Sequence, residues 1–289
     1  NKKSKYKVKI NSRHFKGKLN YGEIFIRGKV KKEILFSCNI CHPSMANNEL
    51  SGPVLVAALA HFLTKKKNYF SYRLIFIPET IGAIVYIKKN LLRLKKELIA
   101  GFTLSCVGDK KNYSLLNSPY SNNYADKIAE LNFKVNKIKF KKFSFLNRGS
   151  DERQFCSPNL DLPFCSILRT KYGQYKEYHT SLDNLDFISK EGLSGSFKLV
   201  VSLIKLIEND RIYYSNFIGE PFLTKYNLKR SVSGAKDLDK KTKDIINLIA
   251  YSDGKRGLIE ISKIININFN LLKKLADKLV KRGLLKVKN

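Results

Sequence analysis

The stretch Glu33-Ile34-Leu35-Phe36-Ser37-Cys38-Asn39-Ile40-Cys41-His42-Pro43-Ser44-Met45-Ala46-Asn47-Asn48-Glu49-Leu50-Ser51-Gly52 decides the fold. Its first eight residues form a short, mostly apolar run, which marks a central strand, and Gly52 to Leu63 is apolar enough to be a packed helix. His42 therefore falls at the carboxyl end of a strand, in the crevice where open α/β sheets bind ligands.

From Glu33 to about Asn209 the pattern repeats. Strands are predicted at 34–40, 72–77, 101–107 and 163–168, and helices at 52–66, 82–98, 121–131 and 190–208. That order predicts an α/β fold, a mixed β-sheet flanked by helices on both faces. Residues 1–32 read as the remnant of a β-rich element, since Tyr6-Lys7-Val8-Lys9-Ile10 and Glu23 to Val30 alternate between apolar and polar. The chain opens on Asn1 and its one methionine is Met45, so it reads as a fragment lacking its natural start.

The expected organisation continues with the main domain over 33–211, a linker over 212–236 containing Gly219-Glu220-Pro221, and a small domain over 237–289. In the last, three short helical patterns and a closing strand at 282–288 resemble a winged helix. Its third helix carries Lys273, Lys274, Lys278, Lys281 and Arg282, which suit either nucleic acid or water, while Leu271, Leu272, Leu275, Leu279 and Val280 suit a core. Structural or oligomer contacts are expected ahead of DNA reading.

With 289 residues, 43% of them hydrophobic, the chain can bury a sizeable core. A net charge of +31 would ordinarily point to nucleic acid. Here the lysines are spread along the whole chain among abundant Asn and Ile, a pattern that biased nucleotide composition also produces, so charge alone assigns no partner. The five cysteines are odd in number and mostly sit in apolar runs, which fits a reducing, cytoplasmic setting. Cys38 and Cys41 form a lone C-x-x-C without the second pair or histidines of a structural zinc site. No uncharged apolar run reaches about 18 residues, so no membrane span is predicted, and no signal peptide opens the chain.

Four polar clusters follow predicted strands or glycine turns: His42 with Asn47-Asn48-Glu49; Pro78-Glu79-Thr80-Ile81-Gly82; Cys106-Val107-Gly108-Asp109; and Arg148 to Arg153 with Tyr178 to Asn184. Strand ends of one sheet converge, so these clusters can build one site. A hydrolytic zinc site needs imidazole and carboxylate ligands, an open position for water and a nearby base. His42, Asp109 and His179 supply the ligand types, and Glu79 supplies the base. Each has a plainer reading. Asp109, before Lys110-Lys111, can simply start a turn; Asp183 and Asn184 either orient His179 or cap the next turn; Arg148 and Arg153 either bind a substrate carboxylate or pair with Asp151 and Glu152. His14 and His61 have no such company.

The ordered motifs His-Pro-Ser-x-Ala-Asn-x-x-Leu-Ser-Gly, Pro-Glu-Thr-Ile-Gly, Cys-Val-Gly-Asp, Gly-Ser-Asp-Glu-Arg-Gln and Glu-Tyr-His-Thr-Ser-x-Asp-Asn resemble those of aminopeptidase-like proteins of bacterial surface-polysaccharide clusters. These are relatives of the zinc aminopeptidases. The resemblance implies a zinc exopeptidase core in which His42 is the first metal ligand, Asp109 a ligand, His179 the last ligand and Glu79 the general base or a ligand. The family carries aspartate where this chain has Asn48, a weak or lost ligand, because a neutral amide binds zinc poorly and cannot bridge two ions. Glu79-Thr80 likewise replaces consecutive acidic residues, so one zinc ion is expected. Glu49 lies one position from the missing carboxylate.

The function implied is a cytoplasmic, zinc-dependent hydrolase of aminopeptidase type, cleaving an amide in a peptide or an N-acylated sugar, with Arg153 or Tyr178 contacting the substrate. The alternative is a degenerate, non-catalytic member whose pocket binds a ligand while the winged helix and basic surface take a partner or nucleic acid.

Overall fold

The computed structural model describes residues 5–42, 44–228 and 239–288. In chain order the first elements are β1 (Gly22–Ile26), β2 (Glu33–Asn39), α1 (Ser51–Thr64), β3 (Ser71–Ile77), α2 (Ile81–Glu97), β4 (Leu98–Leu104) and β5 (Ser114–Leu116). Then come α3 (Tyr124–Val135), β6 (Lys141–Phe143), α4 (Glu152–Phe155), β7 (Phe164–Leu168), α5 (Lys190–Asn209) and β8 (Ile212–Ser215). The chain closes with α6 (Lys240–Tyr251), β9 (Asp253–Gly257), α7 (Leu258–Ile264), α8 (Phe269–Lys281) and β10 (Leu285–Val287).

Seven strands make one sheet in the order β1-β3-β2-β4-β7-β5-β6. Its centre, β3-β2-β4-β7, is parallel, while β1 pairs antiparallel with β3 and β5 antiparallel with β7, so the sheet is mixed. The central strands are buried on both sides because alternate residues point to opposite faces. Ile34, Phe36 and Cys38 of β2, with Ala100, Phe102 and Leu104 of β4, join the core under α1, α3 and α5. Leu35, with Ile75 and Ile77 of β3, packs under α2 and α4 beside Tyr86 and Phe155. Polar residues set where the helices begin: Asn123 accepts the Asp126 amide at the start of α3, and Ser189 accepts that of Gly192 at the start of α5.

The α/β reading holds, with three local differences. The strand expected over 101–107 runs from 98 to 104, since Cys106 adopts a left-handed φ of 51° that ends the extended run and turns Ser105 to Asp109 into a loop. Tyr6 to Ile10 forms no strand; Tyr6, Val8 and Ile10 are exposed. Within the stretch read as a linker, Ile212–Ser215 is the middle strand of a second, antiparallel sheet, β10-β8-β9. Helices α6, α7 and α8 pack on it, and their buried Leu248, Leu258, Leu272 and Leu279 belong to the same continuous core as α5. No helix among the described residues is long and apolar enough to cross a membrane.

Candidate functional site

Parallel strands β2, β3 and β4 end side by side, and the loops that leave them meet at one edge of the sheet. Leaving β2, the chain makes a π-helical turn over Ala46–Leu50 before α1. The first amides of that turn have no partner within it, and Asp183 supplies them: its carboxylate accepts Asn47 N at 2.6 Å and Asn48 N at 3.1 Å, and its carbonyl accepts Ala46 N at 2.9 Å. The Ser-Gly pair then clamps the turn to the end of β4. Ser51 Oγ donates to Asn47 O and accepts Val107 N at 3.0 Å. Gly52 lies so close to the strand that a Cβ would sit 2.5 Å from Leu104 O.

This clamp presents a dense polar group. His42 Nδ1 lies 2.7 Å from Glu49 Oε1, and the exposed Cys41 Sγ lies 3.3 Å from His42 Nδ1 and 3.8 Å from Glu49 Oε1. One donor atom from each of Cys41, His42 and Glu49 falls within 4.8 Å of the other two. The His179 ring arrives from the loop before α5 with its centroid 5.1 Å from that of His42, and Tyr178 stacks on it at 4.0 Å. Neither His42 Nε2 nor the His179 ring makes a hydrogen bond among the described residues.

Glu79, at the end of β3, comes in from the other side. Its Oε1 accepts Asn39 Nδ2 at 3.2 Å and the Ser150 hydroxyl, and its amide donates to Cys41 Sγ at 3.1 Å. Beneath it, Asp151 is fully buried; Oδ1 accepts Thr80 N at 2.7 Å and Oδ2 has no partner. Burial, reinforced by the charges of Glu79, Glu152 and Glu49, pushes this carboxyl up to about 8, so at neutral pH it is mostly protonated. The Cys41 thiol is pushed up to about 11, first by burial and then by the Glu49 and Glu79 carboxylates, against the pull of the Glu79 amide, which makes it a poor nucleophile. Thr80, with φ 64°, holds a backbone conformation rare for a β-branched residue, and His179 also has a positive φ, of 54°.

The structure thus brings His42, Glu79, His179 and Tyr178 together. Tyr178 is half-buried, its hydroxyl makes no hydrogen bond among the described residues, and burial pushes it up to about 12. Arg153 is exposed at the rim, with Nη2 donating to Thr80 Oγ1 at 2.6 Å. Asn48 is buried; its amide donates to Glu49 Oε1 at 3.2 Å and its oxygen faces Cys106 Sγ at 3.7 Å.

Asp109 is tied up by other groups. Its Oδ1 accepts Thr170 Oγ1 at 2.7 Å and Lys111 N at 2.9 Å, while Oδ2 accepts Thr170 N at 2.9 Å and Asn47 Nδ2 at 3.3 Å, so both oxygens serve an internal network. Asp183 caps the Ala46–Leu50 turn rather than the His179 ring, and Asn184 caps its own turn through Asp186 N. Arg148 donates to Phe145 O, and Glu152 is occupied by Gly149 N, Ser150 N, Ser166 and Tyr172, so neither arginine pairs with the acids beside it.

Two imidazoles, the Glu49 and Glu79 carboxylates and a thiol are the nitrogen, oxygen and sulfur donors that a single zinc ion takes. A second ion finds no free carboxylate at Asn48 or Asp109. Cys41, Ser150 and Asp151 carry no ligand or catalytic role in the reading of the sequence, and Glu49 enters it only as a neighbour of the missing carboxylate. The one signal for Glu49 was its place beside Asn48.

A domain of unknown function, DUF4910, matches residues 7–210, and a winged helix-turn-helix matches residues 211–287. A Clostridium acetobutylicum protein named "putative polysaccharide biosynthesis protein with aminopeptidase-like domain" is 39% identical over 98% of this chain and 65% of its own length. The crystal structure of a "putative peptidase" from Clostridium acetobutylicum superposes with a TM-score of 0.80 at 36% identity, over 93% of this chain and 60% of that one. A zinc aminopeptidase from Bacillus subtilis superposes with a TM-score of 0.54 at 18% identity, over 64% of this chain and 48% of that one, a likeness of fold alone. The chain therefore spans about two thirds of the length of the curated relative it matches.

Proposed function

We propose, from the premise that this chain belongs to the DUF4910 family and ends in a winged helix-turn-helix, that it is a metal-dependent hydrolase of aminopeptidase type working with one zinc ion. The observation that carries the reading is the pairing of His42 with Glu49 at 2.7 Å beside the His179 ring, with Glu79 held at the same edge of the sheet. The residues that would hold the ion are His42, His179 and Glu49, with Cys41 at their side. Zinc bound there would polarise an amide carbonyl and bring a water's proton within reach of a carboxylate base at neutral pH.

The protein's own groups do the rest. Glu79, fixed by Asn39 and Ser150, takes the water's proton and passes it to the leaving nitrogen. The Ser150 hydroxyl holds Glu79 Oε1, which leaves Oε2 as the oxygen with no protein partner and so the one that works as base. Tyr178, stacked on His179 with an unpaired hydroxyl, donates to the oxygen on which charge develops, and Arg153 at the rim receives a substrate carboxylate. The substrate class is an amide in a peptide or an N-acylated sugar, the latter in keeping with the polysaccharide-biosynthesis name of the relative.

One observation favours a second reading. Asn48 is buried and bonded to Glu49, and Asp109 is bonded throughout, which suits a member that binds a ligand without turning it over. Metal analysis after zinc loading, with hydrolysis of aminoacyl anilides and N-acetylhexosamines, separates the two. About one zinc per chain, lost together with hydrolysis in His42→Ala, supports the hydrolase. Absence of zinc, or hydrolysis indifferent to His42, overturns it.

A further inference from the structure

A cavity of about 550 Å³ opens at the other end of the sheet, between the main sheet and the winged helix-turn-helix. Lys32, Tyr69 and Phe70 come from the starts of β2 and β3, Tyr124 from the start of α3, and Arg211 and Lys288 from the second sheet and its edge. The seven residues of β2, at about 3.3 Å each, place it roughly 20 Å from His42. It is of a size that encloses a small organic ligand, and it lies at a junction between domains, where such sites concentrate.

The walls are aromatic and their charge is unbalanced. The Arg211 guanidinium lies 3.4 Å from the centroid of Tyr69 and 5.2 Å from that of Phe70. Its Nη2 reaches Glu208 at 3.7 Å, but that carboxylate already accepts Tyr69 N, Phe70 N and the Tyr72 hydroxyl. Arg211 Nη1 is buried with no hydrogen-bond partner among the described residues, an arrangement that costs stability. Lys32 and Lys288 donate to the carbonyls of Lys96 and Gly254, and neither makes an ion pair with a carboxylate among the described residues. Asp210, the one acid lining the cavity among the described residues, is committed to Tyr124 and to Ile259 N.

We propose that this cavity binds a planar aromatic anion, its ring against Tyr69, Phe70 and Tyr124 and its carboxylate or phosphate toward the positive charges of Arg211, Lys32 and Lys288. The ring offers the face on which aromatic side chains and a guanidinium stack, and the anion balances the excess positive charge of the lining. Such a ligand touches both sheets, so it ties the winged helix-turn-helix to the main domain.

Calorimetry on the full chain tests this with indole-3-carboxylate and adenosine 5′-monophosphate, each beside its uncharged parent, indole or adenosine, and beside inorganic phosphate. The expected result is binding of at least one anionic probe with Kd below about 1 mM, weakened roughly ten-fold in Arg211→Met by loss of a charge-assisted hydrogen bond. Lys288→Met, at the exposed rim, should weaken it by a smaller factor, and carries the test if the Arg211 variant does not fold. His42→Ala should leave the affinity unchanged, which separates this site from the metal site. Failure of both anionic probes, equal binding of the neutral parents or of phosphate alone, indifference to the cavity substitutions, or loss in His42→Ala would each overturn the proposal.

Discussion

Asp210 ties the two sheets together, and its titration is measurable. Helix α7 has Gly257 at its N-cap, which offers no side-chain acceptor, so its amides must be satisfied from elsewhere. Asp210, at the end of α5, does this: Oδ1 accepts Ile259 N at 2.9 Å while Oδ2 accepts the Tyr124 hydroxyl at 2.8 Å. A Cβ on Gly257 would come 2.9 Å from Oδ1, so the glycine is what lets the carboxylate approach. Burial pushes this acid from 3.8 up to about 6 against the opposing pull of Ile259 N, Tyr124, Leu258 N and the Arg211 charge. A carboxyl raised on folding binds protons more tightly in the folded state, so its contribution is fully present below about pH 4 and is lost as pH rises through about 6. The shift of about two units is worth roughly 3 kcal/mol, of which roughly 2 kcal/mol falls between about pH 4 and about pH 7. Asp210→Asn keeps an acceptor for Ile259 N and a donor for Tyr124 but cannot ionise. Urea unfolding of both proteins across that range should show the variant gaining on the wild type by roughly 2 kcal/mol as pH rises. A difference that stays flat with pH would refute the burial of this carboxyl between the domains.

At the site, Glu49→Gln keeps a hydrogen-bonding group beside His42 but removes the charge, and should cut zinc affinity at least ten-fold, about 1.4 kcal/mol or more, in a competition titration with a coloured chelator. Asn48→Asp should do the reverse: a lower melting temperature in chelator, and tighter zinc binding with a larger stabilisation on zinc addition than the wild type shows. Gly52→Ala drives a methyl into Leu104 O, 2.5 Å away, and should destabilise by about 1–3 kcal/mol in chemical unfolding, since the contact is with backbone that cannot turn aside.

The strand and helix order was readable because β2, β3 and β4 are near-continuous apolar runs bounded by polar turns. That His42 and Glu79 adjoin follows from the pairing of parallel β2 and β3, whose ends lie side by side; His179 lies in the long loop between β7 and α5, which strand order alone does not place. Short elements were not readable. Ser114–Leu116 and Lys141–Phe143 are three residues each, too brief to show a period, and the latter is mostly charged, as suits the sheet edge it occupies. Glu49 reads from the sequence only as one residue displaced from the missing carboxylate; the π-helical turn over Ala46–Leu50 buries it and sets its carboxylate against His42, which sequence spacing does not show. Asp109 shows the limit in the other direction. Its type suits a ligand, but whether a carboxylate is free depends on partners such as Thr170 and Asn47, which lie about sixty residues away in sequence.

The neighbours Asn48 and Glu49 are best understood as a pair. The Asn48 amide donates to Glu49 Oε1 at 3.2 Å, and that same oxygen takes the His42 contact. Were residue 48 a carboxylate in this geometry, two like charges 3.2 Å apart would repel by roughly 5 kcal/mol at an effective dielectric near 20. Without a cation between them one would have to protonate or swing away. With asparagine the amide does the opposite, holding Glu49 against the histidine by a hydrogen bond that needs no metal. The asparagine therefore does more than withhold a carboxylate: its amide keeps the Glu49 side chain oriented toward His42. On the proposed single-zinc reading, Glu49 rather than residue 48 is the anion on which metal affinity should turn.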